Sequence, residues 1–176
     1  MILKTKSLKI IQCDEEILKE AIKGNANIAS KLNVKVPDNW TEFGKEALQY
    51  ALNKLEENSS ESGWWTYLPI YKSENKLIGI GGYKGKPTIE GEVEVGYEIA
   101  QEYRNQGLAT EMTNALIENA FKNHQVKLVS AHTLGEFNPS TKVLIKCGFE
   151  KVDELNDPDE GSIWKWELQK NKYINL

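Results

Sequence analysis

Seven consecutive residues carry the densest chemistry in this chain: Arg104-Asn105-Gln106-Gly107-Leu108-Ala109-Thr110. They follow EVEVGYEI at 92–99, whose two-residue alternation predicts a strand, and they open an apolar-periodic run at 110–122 that predicts a helix. The first N–H groups of a helix lack intrahelical partners, and the helix dipole favours negative charge beside them. A glycine in the turn lets an anion approach the main chain with no Cβ in the way. With Arg104 alongside, the segment is a candidate cradle for phosphates.

Three phosphate-binding patterns test whose phosphates these are. The Walker pattern, G-x-x-x-x-G-K then Ser or Thr, fails at Gly85-Lys86, because Ile80 and Pro87 stand where glycine and a hydroxyl residue are required. The dinucleotide fingerprint G-x-G-x-x-G begins at Gly79-Ile80-Gly81 but meets Lys84 at its last position, and no helix follows. The acyl-CoA signature asks for Gln or Arg, two residues, Gly, one residue, then Gly or Ala. Arg104, Gly107 and Ala109 satisfy it in the required strand–turn–helix context.

A second segment, FNPSTKVLIKCGF at 137–149, resembles the N-x-S-x-x-V-L-x-K-x-G-F segment of Gcn5-related N-acetyltransferases. With Gly96-Tyr97-Glu98-Ile99-Ala100 leading into the turn, the chain is similar to the RimJ/RimL-type branch, which acetylates protein N-terminal amines and various small amines. The resemblance is carried by 77–149. It implies that strands 92–99 and 127–132 splay apart after a β-bulge, with the pantetheine arm of acetyl-CoA in the gap. It further implies that main-chain groups of Glu98, Ile99 and Ala100 pair with that arm. The pyrophosphate would rest on the amides of Asn105, Gln106, Gly107, Leu108, Ala109 and Thr110. Arg104 would hold phosphate or main chain, or be a solvated cation. Asn138 would reach the pantetheine amides, or serve as a turn residue before a helix capped by Ser140.

The implied reaction moves an acetyl group from acetyl-CoA to a primary amine, either a protein N-terminus or a small molecule, by direct attack in a ternary complex. The alternative is a non-catalytic acyl-CoA sensor or scaffold. An amine protonated at neutral pH needs a base. Glu94 and Glu92 alternate onto one face of their strand, with Glu94 nearer the expected carbonyl; the plain reading is exposed strand carboxylates. A backbone N–H near residues 97–99 would receive the developing oxyanion. Ser140 is the candidate proton donor to the thiolate. Other family members use a tyrosine there, and none lies between Tyr103 and Tyr173. His132 is a possible proton relay or a packed edge histidine. Cys147 reads as a packing residue rather than an acyl carrier.

The elements that position these residues form a mixed α/β (α+β) fold. It has one mostly antiparallel sheet of six or seven strands, flanking helices and a splayed parallel pair. Strands are expected at 8–12, 64–71, 77–83, 92–99, 127–132, 149–155 and 162–168. A helix follows the capping Asp14, and others span 40–55, 110–122 and 140–147, the last closed by Gly148. Trp40, Phe43, Trp64, Trp65 and Tyr67 concentrate aromatic surface in the first half, where the acceptor would bind or a core would pack. With 40% hydrophobic and 27% charged residues, the 176-residue chain suits a single acetyltransferase domain, 1–176. A net charge of −4 argues against nucleic acid as a partner. No run has the length of a membrane span, so a cytoplasmic protein with no membrane partner is expected, and monomer and homodimer both stay open. Cys13 and Cys147 are far apart, and with only two histidines no metal site is expected.

Overall fold

The computed structural model describes residues 1–173. In chain order its elements are β1 (Ile2–Lys4), β2 (Leu8–Gln12), α1 (Glu15–Lys23), α2 (Asn25–Leu32), α3 (Gly44–Glu57), β3 (Thr66–Tyr71), β4 (Lys76–Leu77), β5 (Gly79–Tyr83) and β6 (Glu92–Ile99). Then follow α4 (Leu108–Lys122), β7 (Leu128–Leu134), α5 (Pro139–Lys146), β8 (Glu150–Asp157), β9 (Gly161–Gln169) and α6 (Lys170–Tyr173). The strands form one sheet in the order β1-β2-β3-β5-β6-β7-β9-β8, with β4 paired to β3. β6 and β7 run parallel, and every other pair of named strands is antiparallel. The seven expected strands are present, and the short β1 and β4 raise the number to nine.

Alternation along the strands builds a core on each face. Ile10, Tyr67, Val93, Val95 and Ile99 pack with Met112, Leu116 and Ile117 of α4 on one side. Ile11, Leu68, Ile70 and Ile80 pack with Leu18 of α1 and Leu48 and Leu52 of α3 on the other. Glu98 sits directly opposite Ile80, so Glu92, Glu94 and Glu98 of β6 share the α1–α3 face.

Local chemistry sets the helix ends. Asp14 caps α1 by accepting from the Ile17 N–H at 2.9 Å. Helix α3 starts at Gly44 rather than near Trp40, because Gly44 turns the chain with φ 66°. Trp40 is core, whereas Phe43 is 59% exposed. Helix α2 buries only Ile28, too little for a legible period. The near-fingerprint glycines of β5 serve packing instead: a Cβ on Gly81 would stand 2.5 Å from Met112 Cε and 2.9 Å from the Gly96 carbonyl oxygen.

Candidate active site

The ladder between β6 and β7 pairs Glu92 with Leu128, Val93 with Val129 and Glu94 with Ser130, and then ends. Beyond that point β6 stays on β5 and β7 stays on β9, so the two parallel strands separate. The β5–β6 register runs through the separation without a shift, so no bulge in that ladder drives it. The Lys84 N–H donates to the Glu94 carbonyl at 3.0 Å and the Ala100 N–H to the Ile78 carbonyl at 2.8 Å. Main-chain groups of Glu94, Gly96, Glu98 and Ala100 therefore turn to β5, and those of Val95, Tyr97 and Ile99 turn to the gap. This corrects the expectation for Glu98 and Ala100, whose main chains are engaged within the sheet. Ile99 does stand on the gap side, where its carbonyl accepts from Arg104 Nε at 2.9 Å.

Past β6, a single turn at Gln101–Tyr103 leads into the glycine turn. Asn105 and Gly107 both take positive φ, 62° and 80°. Gly107 is the N-cap of α4, with no side-chain cap, and the Glu111 N–H makes the first donation back to it at 2.9 Å. The N–H groups of Leu108, Ala109 and Thr110 thus head the helix without intrahelical acceptors. A Cβ on Gly107 would meet no atom within 4 Å, so open space lies before these donors. Gln106 Nε2 turns back to the Glu102 carbonyl at 3.2 Å. A strand edge with free main-chain groups that leads to a bare helix N-terminus fits a pantetheine pyrophosphate. Arg104 is used as a main-chain anchor, and it also pairs with Glu42 at 2.8 Å.

The α1–α3 face of the gap carries the acid–base groups. His132 Nδ1 lies 3.0 Å from Glu94 Oε1, and Lys84 pairs with the same oxygen. These are ion-pair separations whose angles fall short of hydrogen bonds, since Oε1 is buried with no hydrogen-bond partner. Glu92 meets Lys165 at 3.2 Å, and Lys165 also meets Glu167 at 2.9 Å. Burial raises the Glu92 carboxyl, but the Ser130 hydroxyl and the Lys165 ammonium outweigh it and hold Glu92 below the usual carboxylate range. Glu92 is therefore held as an anion by its ion pair with Lys165.

Across the gap, Asn138 rather than Ser140 caps α5. Its Oδ1 accepts from the Thr141 N–H at 3.0 Å, and Thr141 Oγ1 accepts from the Asn138 N–H at 3.0 Å. The Asn138 amide N–H groups have no partner among the described residues. Ser140 is half-buried in the first turn of α5, and its hydroxyl likewise has no partner among the described residues. The Ser140 carbonyl accepts from the Tyr97 hydroxyl at 3.0 Å. Tyr97 thus brings a phenol from β6 to the start of α5, from outside the 103–173 interval. Burial raises its phenol.

The aromatic residues divide as alternation requires. Trp64 packs with Tyr83 on the α4 side, and Trp65 with Tyr50 on the α3 side. Trp40 Nε1 donates to Asn25 Oδ1 at 3.1 Å within the core. Phe43 remains exposed, at the foot of α3. The sequence reading missed the Glu98 side chain, which accepts from the Thr41 hydroxyl at 2.8 Å and from the Glu42 N–H at 2.7 Å.

A bare helix N-terminus at the mouth of separated parallel strands suits an acyltransferase that takes its donor as a coenzyme A thioester. The family model of the acetyltransferase (GNAT) domain matches residues 18–150, and the chain belongs to that family. It is an acetyl-CoA-dependent N-acetyltransferase, moving an acetyl group to an amine. It is 25% identical to the uncharacterized N-acetyltransferase YjdG of Bacillus subtilis (strain 168) over 151 residues, 85% of this chain and 89% of the relative. Its fold is similar to that of RimL, the ribosomal L7/L12 alpha-N-protein acetyltransferase, solved with coenzyme A. That match has a TM-score of 0.71 at 13% identity and covers 96% of this chain and 98% of RimL. A chimera of the spermidine N-acetyltransferase SpeG from Vibrio cholerae with hSSAT matches with a TM-score of 0.71 at 15% identity, covering 97% of this chain and all of that one. Among the described residues, no helix is long and apolar enough to cross a membrane.

Proposed function

We propose that residues 1–176 act as one acetyltransferase domain in which a primary amine, a protein N-terminus or a small molecule, attacks directly in a ternary complex. The carrying observation is the gap itself, with the main chain of Tyr97 turned into it on one side and Glu94 with His132 on one face of it. Bound there, acetyl-CoA supplies an activated acetyl thioester. Gly107, Leu108, Ala109 and Thr110 hold its pyrophosphate through their amides, with Asn105 and Gln106 shaping the turn. The Asn138 amide reaches the pantetheine.

Glu94 accepts the proton of the incoming ammonium, and His132 at 3.0 Å stabilises the charge it carries between turnovers. The Tyr97 N–H, turned into the gap, donates to the acetyl oxygen as negative charge develops there. As the C–N bond forms and the C–S bond breaks, the Ser140 hydroxyl gives its proton to the thiolate and is reprotonated by the second proton that the nitrogen sheds, while Glu94 passes the first to solvent. A cysteine acyl carrier is disfavoured: burial pushes the Cys147 thiol up to about 12, leaving little thiolate at neutral pH.

Thiol release from acetyl-CoA, measured against spermidine, short peptides with free N-terminal amines and aminoglycosides, tests this reading. Amine-dependent release of coenzyme A is the expected result. Tight acetyl-CoA binding with no amine-dependent release would replace it with the non-catalytic sensor.

A further inference from the structure

We infer that Glu98 is a positioning residue for the amine acceptor, holding Thr41 to Phe43 over the acid–base face; this rests on the function proposed above. Glu98 lies on the same side of β6 as Glu94. Its two carboxylate oxygens are both spent on one segment: Oε1 accepts from the Glu42 N–H at 2.7 Å and Oε2 from the Thr41 hydroxyl at 2.8 Å. The Thr41 hydroxyl in turn accepts from the Phe43 N–H at 3.1 Å. Arg104, the first residue of the coenzyme turn, adds a contact from Nη2 to Glu42 Oε1 at 2.8 Å.

These bonds span 56 to 62 residues of sequence, so nothing local substitutes for them. They are unequal. The Arg104–Glu42 pair is solvent-exposed, with 43% and 75% of the side chains accessible, and such pairs contribute little. Glu98 is half-buried, and hydrogen bonds to a carboxylate are the stronger kind. No side chain caps α3, and the Glu98 carboxylate at the N–H of Glu42 lies just ahead of its start, adding to the first-turn Glu46.

The segment it holds ends in the exposed Phe43 ring. At about 3.3 Å per residue, Glu98 stands roughly 13 Å along the strand from Glu94. An acceptor whose amine lies at Glu94 therefore extends its body toward Thr41 and Phe43. Glu98 fixes that distal contact while Arg104 ties it to the coenzyme turn. Both oxygens of the Glu98 side chain are engaged by this segment, so its contact with the rest of the molecule runs through Thr41 and Glu42.

Hydrogen exchange and kinetics on Glu98→Ala decide the matter, with acetyl-CoA affinity as the control for folding. Losing both bonds should speed exchange of the Glu42 amide by about tenfold or more. With the best amine of the panel, KM should rise about tenfold while kcat and the acetyl-CoA Kd stay within about threefold. Glu98→Gln keeps one acceptor and should recover some of the lost KM. Unchanged Glu42 exchange, or an acetyl-CoA Kd that rises as far as the amine KM, would overturn the inference. A wild-type protein that turns over no amine fails the proposed function instead, and the exchange result alone then decides whether Glu98 holds the segment.

Discussion

The two sides of the gap are held by different kinds of bond. The proposed coenzyme side is main-chain geometry: a strand edge, two residues of positive φ and a helix start, contiguous from Glu92 to Lys122. The proposed acceptor side is built from side chains that reach between distant segments, as Glu98 reaches Thr41 and Glu42. Main-chain recognition tolerates changes of side chain but not of backbone conformation. Side-chain recognition is the reverse.

That contrast is most sharply broken at Glu94, the side chain proposed to take the proton of the amine. Glu94→Gln should lower kcat at neutral pH by about a hundredfold, the usual scale of a general base, with the acetyl-CoA Kd unaltered. Stopped-flow and equilibrium binding separate the two quantities. A pH–rate profile identical to wild type would remove Glu94 from the proton path and return that role to His132 or solvent.

On the coenzyme side, Gly107→Val should weaken acetyl-CoA binding by about tenfold or more, because a β-branched residue resists φ 80° and adds bulk before the helix amides. Gly107→Ala has room for its Cβ and should suffer only from the backbone, giving a smaller loss by calorimetry. Equal affinity in the valine variant would mean that the phosphates bind elsewhere.

How far the sequence revealed each side follows from the same contrast. Strands 8–12 and 92–99, the Asp14 cap and the Gly148 stop lie where local pattern put them, since each depends on residues within a few positions. Three features escaped. Helix α2 was hidden because it buries one apolar residue. Ser140 looked like the cap of α5 because Ser and Asn are near-equal caps, and only the Thr141 partner of Asn138 decides between them. The phase of β6 was the third: period two is readable from EVEVGYEI, but which residues give their main chain to the gap depends on the register with β5. Register is a relation between two strands, and one strand's sequence does not contain it. The Glu98 contacts and the Tyr97 hydroxyl on Ser140 are long-range in the same sense.

Asn138 sits where both kinds of recognition meet, and a pair of variants divides them. Asn138→Ala should cost about 1 kcal/mol of stability through the lost cap. Asn138→Ser keeps a capping oxygen but no amide N–H, so its melting temperature should stay near wild type while the acetyl-CoA Kd rises roughly threefold to tenfold. A serine variant with wild-type affinity would leave Asn138 a cap alone.

The smallest effect tests whether the main-chain cradle is as independent of side chains as the contrast requires. Glu111, in the first turns of α4, accepts from the Ser7 N–H at 2.5 Å and pairs with the Thr5 hydroxyl, tying the helix to the β1–β2 turn. Burial raises its carboxyl, yet these bonds outweigh burial and its folded value lies below the ordinary one. The unfolded chain then binds the proton more readily, so the contribution to stability is complete above about pH 4.3 and is lost as pH falls through the lower folded value. Because the group is largely solvent-screened, Glu111→Gln should cost within about 1 kcal/mol at pH 7 in urea unfolding. That difference should shrink toward zero as the pH drops below about 4. If acetyl-CoA affinity also falls more than about threefold in this variant, the helix N-terminus is held in place by the side chain of Glu111, and the division between main-chain and side-chain recognition fails on the donor side.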